Sequence, residues 1–227
     1  MALSEWLARR SRRAELKKTL AERIPPGQDL TEKWPVLHYG VIPPFNPYQW
    51  DFTVKGLVKG EGLRLSYKEF IALPRVTVQA DMHCVTGWSK LDNVWEGVAF
   101  REIMQRVELQ PQAKHVTIFS DGGYTTNLPL DVLVDDDVLF AYRHNGENLP
   151  PEHGWPLRLV VPKRYAWKSA KWVRGLELLA QDVRGFWERY GYHNNGDPWT
   201  EERYSWQEAS HGYDPLAEER SLWPEGS

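Results

Sequence analysis

The clearest signals along this chain are alternations of apolar and polar positions. In "WDFTVKGLV", Trp50, Phe52 and Val54 fall on one face, which predicts a strand. "KGEG" reads as the turn that follows. Ser66 and Glu69 then stand at capping-box spacing in "SYKEF" and start a short helix. "RVTVQAD" (75–81) is a β-branched strand that delivers the chain to Cys84. "GVAFREIMQRV" (97–107) reads as an amphipathic helix and "HVTIFS" (115–120) as a strand. The polar loop "DGGYTTN" comes next, and then "LPLDVLV" as a short helix. "DVLFAYRHNGENLP" predicts a strand and a hairpin turn at Asn145-Gly146. "LRLVVP" (157–162) and "KWVRGLELLA" read as further strands, the first continuously apolar and therefore buried.

The two ends read differently. Leu3, Leu7, Leu16 and Leu20 share one face of a predicted N-terminal amphipathic helix, which Pro25-Pro26-Gly27 ends. The approach "KWPVLHYGVIPPFNPYQW" is rich in proline and aromatic residues and is expected to be extended and irregular. The last stretch, including "DPWTEERYSW", is polar with interspersed rings and is expected to wrap the domain. No repeat or linker divides the chain. The predicted organisation is a helical extension over 1–30, one domain over 31–200 and a wrapping tail over 201–227. Strands and helices mix without βαβ regularity, so the fold class is α+β with mixed sheets and short helices.

Composition narrows the function classes. A formal net charge of -3 with 26% charged residues does not suggest a nucleic-acid or membrane binder. No apolar run is long enough to cross a bilayer as a helix. An Arg12-Arg13 pair resembles an export motif, but "AELKKTLAERIPPGQ" after it is not apolar, so a cytoplasmic location is expected. The single cysteine excludes an intrachain disulfide, a Cys-rich zinc site and a cysteine-ligated iron–sulfur cluster. No c-type haem motif and no G-x-G-x-x-G fingerprint is present.

Two places could carry chemistry. Cys84 sits in a turn just past a strand. It reads as a small buried hydrophobe, as a nucleophile in need of a base, or as a soft-metal ligand whose companions come from a cofactor. His83 is a poor base, because adjacent strand residues point to opposite faces; His38, His115 and His153 are other histidines of the chain. The stretch 153–174 carries Arg158, Lys163, Arg164, Lys168, Lys171 and Arg174 together with Ser169. This set suits a phosphate or pyrophosphate, and it equally suits solvated charges that protect strand edges.

"HCVTGWS", "WEGVAF", "AYRHNGENLPPEHGWPLRLVVPKRYAWKSAKWV" and "FWERYGYHNNGDPW", in this order, resemble the sulfite oxidase family of molybdopterin enzymes, and most closely its small single-domain bacterial members. The resemblance runs over roughly 34–199. It implies a molybdopterin-binding fold and a Mo-molybdopterin cofactor, with Cys84 as the metal ligand beside the pterin's dithiolene sulfurs. It implies cofactor contacts at His38, Tyr39, Ser120, Asp121, His153, Arg158, Ser169, Ala170 and Lys171. Tyr124 falls near the family's active-site tyrosine, and Trp88 lines the substrate side.

The departures are equally specific. Sulfite oxidases hold their anion with arginines, where this chain reads "PVLHYG" and "CVTGWS". That argues against a sulfite-type pocket, because the guanidinium fork is what grips an oxyanion. Trp88 suggests a more aromatic floor, nearer the related methionine-sulfoxide reductases. The family's immunoglobulin-like dimerisation domain and haem domain are not expected here. The resemblance thus implies two-electron oxo transfer on a small sulfur- or nitrogen-containing substrate, with a separate electron-transfer partner. A molybdopterin carrier without turnover is the alternative, and a cysteine-nucleophile hydrolase is a third reading.

Overall fold

The computed structural model describes residues 22–211, preceded by the isolated positions Ser11 and Leu20. The helix predicted over the first twenty residues otherwise lies outside the described residues, as does the tail after 211.

Two sheets form the body. The first contains β1 (Asp29–Leu30), β4 (Val76–His83), β5 (Trp88–Ala99), β8 (Leu139–His144), β9 (Glu147–Asn148) and β10 (Arg158–Val160). Its path runs β1-β5-β8-β10, with β4 paired to β5 and β9 to β8. The second contains β2 (Asp51–Gly56), β3 (Leu63–Ser66), β6 (His115–Ser120), β7 (Thr125–Pro129) and β11 (Val173–Leu179), in the order β3-β2-β11-β6-β7. Four short helices join them: α1 (Tyr67–Ile71), α2 (Phe100–Met104), α3 (Leu130–Leu133) and α4 (Phe186–Arg189). This is the mixed α+β class that the alternations imply.

The sheets meet through a core that includes Phe52, Val54, Val98, Phe140, Leu159 and Leu176. Phe52 and Phe140 cross it with ring centroids 5.0 Å apart. The first sheet is buried on its other face too. There Met82, Trp95, Leu139, Ala141 and Val160 form a second cluster. Along β10 the period of two sends Leu159 into the first core and Arg158 with Val160 to the opposite face. A side chain that is to serve the site thus emerges from a fully buried strand.

Three predicted elements are corrected. The helix expected over 97–107 is only α2; residues 97–99 complete the twelve-residue strand β5. That strand passes so close to β8 that a Cβ on Gly97 would lie 2.0 Å from the Phe140 carbonyl oxygen. The register shifts between Glu96 and Gly97, so glycine serves the bulge and the close approach. The polar loop expected over 121–127 is a short turn, Asp121–Gly123, that leads into β7. The helix expected over 128–134 is confined to Leu130–Leu133, because Leu128 and Pro129 belong to β7. The capping box forms as read: the Ser66 hydroxyl accepts from the Glu69 amide and the Glu69 carboxylate accepts from the Ser66 amide. The hairpin at Asn145-Gly146 joins β8 to β9, with Arg143 opposite Asn148 and His144 opposite Glu147.

Candidate functional site

β4 ends at His83, and the chain turns sharply through 84–87 into β5. The Cys84 amide donates to the Trp88 carbonyl at 2.8 Å and the Gly87 amide to the Cys84 carbonyl at 2.9 Å. Gly87 has φ 94°, which a glycine adopts without strain. Gln28, fully buried, donates from Nε2 to the same Cys84 carbonyl at 3.1 Å. Its Oε1 accepts from the Ser89 hydroxyl at 3.3 Å, and Ser89 Oγ lies 2.8 Å from His83 Nδ1. His83 is therefore engaged behind the turn. Burial pulls it down to about 4, with Asp81 opposing. The sulfur's own partner is a hydroxyl, Thr86 Oγ1, at 3.2 Å. A cysteine–histidine nucleophile pair is not what this geometry builds.

Cys84 lies in the wall of a cavity of about 520 Å³. Its lining brings together His38, Tyr39, Cys84, Trp88, Asp121, Tyr124, Arg158, Ser169, Ala170 and Lys171 from the sequence reading. Two of the expected residues do not line it. Ser120 is buried at the end of β6, with its hydroxyl unpartnered. His153 stands behind Trp34, their rings stacked at 3.7 Å, and its Nδ1 is also buried without a partner. Burial with the nearby Arg158 and Lys171 charges pulls His153 down to about 4. Sequence reasoning missed Trp34, Met82, Thr86, Trp167, Trp187 and Tyr192, all of which line the cavity. Rings in a sequence with 12 tryptophans carry no local signal of which cavity they face.

The basic stretch divides. Lys163 pairs with half-buried Asp135, Arg174 with Asp51 and Asp121, and Lys168 with buried Glu188, while Arg164 donates to the Lys163 carbonyl and does not line the cavity. Arg158 and Lys171 remain for the cavity. Arg158 is 3% exposed. Its Nη1 donates to the His153 carbonyl at 3.1 Å, and its Nε is buried with no partner. Burial pulls it down to about 10, so it stays charged at neutral pH. Lys171 Nζ donates to the Leu37 carbonyl at 2.7 Å and the Glu152 carbonyl at 2.8 Å, which leaves one N–H for a ligand. Burial, with Arg158 beside it, pulls Lys171 down to about 7. Among the described residues neither cation has a carboxylate paired to it, and two such cations in one wall call for an anion. Tyr124 also lines the cavity. Its hydroxyl donates to the Trp167 carbonyl at 2.5 Å, and burial holds it well above its ordinary value, so it stays protonated.

A thiol and a buried cation with an N–H still to be satisfied, in one cavity, are what a metal-bearing pterin with a phosphate tail requires. Comparison with known proteins defines the class. The family profile described as oxidoreductase molybdopterin binding domain matches residues 39–187, and the chain belongs to that family. It is a molybdopterin-binding oxidoreductase of the sulfite oxidase type, and its cofactor is Mo-molybdopterin. The oxidoreductase YuiH of Bacillus subtilis (strain 168) is 48% identical over 185 residues, covering 81% of this chain and 93% of that one. The protein-methionine-sulfoxide reductase catalytic subunit MsrP of Gluconobacter oxydans (strain 621H) is 28% identical over 68% of this chain and 56% of its own length. Sulfite oxidase of Arabidopsis thaliana is 28% identical over 68% of this chain and 48% of its own. The chain thus spans about half the length of those last two relatives. The sulfane dehydrogenase SoxCD of Paracoccus pantotrophus shares the fold with a TM-score of 0.59 at 23% identity, over 64% of this chain and 42% of that one.

Proposed function

We propose that this chain catalyses two-electron oxo transfer on a small, uncharged sulfur- or nitrogen-containing group such as a sulfoxide or N-oxide, and exchanges the electrons with a separate redox protein. The observation that carries this reading is the distribution of charge around the cavity. The side-chain cations that line it, Arg158 and Lys171, lie in the wall fed by β10 and the segment before β11. The rest of the lining near Cys84 in sequence is uncharged, Met82, Val85, Thr86 and Trp88, and the charges of Arg158 and Lys171 reach the thiol from across the cavity. Among the described residues Arg158 is the one arginine in the lining, and Arg203, which donates to the Val85 carbonyl, does not line the cavity, so no pair of arginines is set there to grip a sulfite-like oxyanion. The activity for which MsrP is named, methionine-sulfoxide reduction, agrees with an uncharged reacting group.

When bound, Mo-molybdopterin supplies a metal that exchanges an oxygen atom and two electrons. The chain's residues hold and shape. Cys84 is the proposed protein ligand, through a thiolate suited to a soft metal. Arg158 and Lys171 take the phosphate, each charge-assisted bond contributing about 1.5–3 kcal/mol. Ser169 and Ala170 fix their segment against β10: the Leu159 amide donates to the Ala170 carbonyl and the Val161 amide to the Ser169 hydroxyl. His38 and Tyr39 close the rim. Trp88 and Tyr124 shape the substrate space.

Replacing Cys84 by Ser tests the ligand. The variant is expected to keep its fold, to lose the Mo–S(Cys) contribution in X-ray absorption, and to lose dye-coupled reduction of a sulfoxide or N-oxide. An unchanged sulfur shell around molybdenum in that variant sinks the assignment.

A further inference from the structure

The hydroxyl of Thr86 makes contact with the sulfur of Cys84 itself. Oγ1 donates to Sγ at 3.2 Å, across a turn whose backbone is fixed on both sides. Cys84 is held by its own amide, by the Gly87 amide on its carbonyl and by the Gln28 side chain. Arg203, which reaches in from the C-terminal segment, donates to the Val85 carbonyl between the two residues. Threonine is stiff at χ1, so a fixed backbone fixes the hydroxyl. The residue also lines the cavity.

We infer that Thr86 is a positioning residue that tunes the metal through the cysteine sulfur. The inference rests on the reading of Cys84 as the molybdenum ligand. A hydrogen bond donated to a ligating thiolate draws electron density from the sulfur and weakens its donation to the metal. The electron-rich, reduced state gains more from this than the oxidised one, so the bond raises the reduction potential. Hydrogen bonding around a cysteine sulfur is one of the levers by which metal potentials are set. Thr86 touches neither of the cavity's cations and has no charge, so its effect is distinct from theirs.

The test uses the Mo-loaded full chain with Thr86→Val, which replaces the hydroxyl by a methyl, and Thr86→Ser, which restores it. Thr86→Val is expected to lower the Mo(VI)/Mo(V) midpoint by about tenfold in the one-electron equilibrium, which is about 59 mV. Its cysteine-to-molybdenum charge-transfer absorption is expected to move to lower energy, because the sulfur lone pairs rise. Thr86→Ser should return both readouts to the native values. An unchanged potential and absorption in a fully loaded Thr86→Val protein overturns the inference. If Thr86→Val and Thr86→Ala both fail to load while Thr86→Ser loads fully, the hydroxyl serves cofactor binding instead, and the tuning role is overturned as well. The Cys84→Ser sulfur shell separates the two levels. An unchanged shell there removes the ligand reading itself, whereas a lost shell with an unaltered Thr86→Val potential removes only this one.

Discussion

Lys171 shows what a single side chain contributes when its charge is not fixed. Burial beside Arg158 pulls its ammonium down to about 7 from an ordinary 10.5. A bound phosphate favours the charged form and pushes the group back up. Between those two values, binding must take up a proton, so cofactor affinity is expected to fall as pH rises above about 7. Below that pH the lysine is already charged and the dependence flattens. Lys171→Arg stays charged throughout and is expected to remove the slope. Pterin retention after gel filtration across a pH series checks this; an equal slope in the arginine variant sinks it. The contrast with Gln28 shows what was legible at this scale. Arg158, Ser169 and Lys171 could be picked out because several stretches agree in order with a family. Gln28 could not, although it is fully buried and bonded to the Cys84 carbonyl. Its partner lies 56 positions away, and nothing next to it in sequence reports the contact.

Elements were legible where one face is apolar and the other is wet. β2 and β6 alternate cleanly, and β10 lies in a run apolar enough to read as a buried strand. β5 was not legible, for physical reasons that its environment makes plain. "WSKLDNVWEGVA" places Ser89 and Asn93 in buried positions and Trp95 in a core, while Asp92 sits at φ 57° beside a register shift. Its polar residues are buried because they are bonded: Asn93 Nδ2 donates to the carbonyls of Lys90 and Ala80, and its Oδ1 lies 3.0 Å from His144 Nε2. A pattern that scores polarity reads such a strand as a loop and its glycine as a helix start. The same strand yields a sharp expectation. Gly97→Ala adds a methyl that would meet backbone of β8 at 2.0 Å, and a strand cannot yield as a side chain can. We expect destabilisation of about 3 kcal/mol in urea unfolding, the upper end for overpacking. A variant with native stability would show that β5 and β8 can separate without cost.

At the scale of the molecule, the cavity walls come from stretches that lie far apart in the chain, and a buried ion pair helps join them. Lys168 and Glu188 are both inaccessible to solvent, with Nζ 2.6 Å from Oε1. Lys168 also donates to the Asn127 carbonyl at 2.8 Å. Glu188 Oε1 accepts from Thr126 Oγ1 at 3.0 Å and from Trp167 Nε1 at 2.9 Å. The pair thus links β7, α4 and the loop between β10 and β11, and that loop carries Trp167, Ser169 and Lys171 into the cavity. Burial pulls the lysine below its ordinary value, and Glu188 opposes this. Desolvating both charges offsets much of their attraction, so the pair as a whole adds little stability, whereas one partner alone leaves an uncompensated charge. Lys168→Met is therefore expected to cost about 3–5 kcal/mol. Lys168→Met combined with Glu188→Leu should recover most of that cost, despite changing more atoms. Chemical denaturation of the cofactor-free protein measures the two. The double variant is still expected to retain less cofactor than the native chain, because Trp167 loses its acceptor and the loop its tether. If the double variant is no more stable than Lys168→Met alone, an uncompensated Glu188 charge is not the cause of that cost. If it is stable and retains cofactor fully, the link between ion pair and cavity fails.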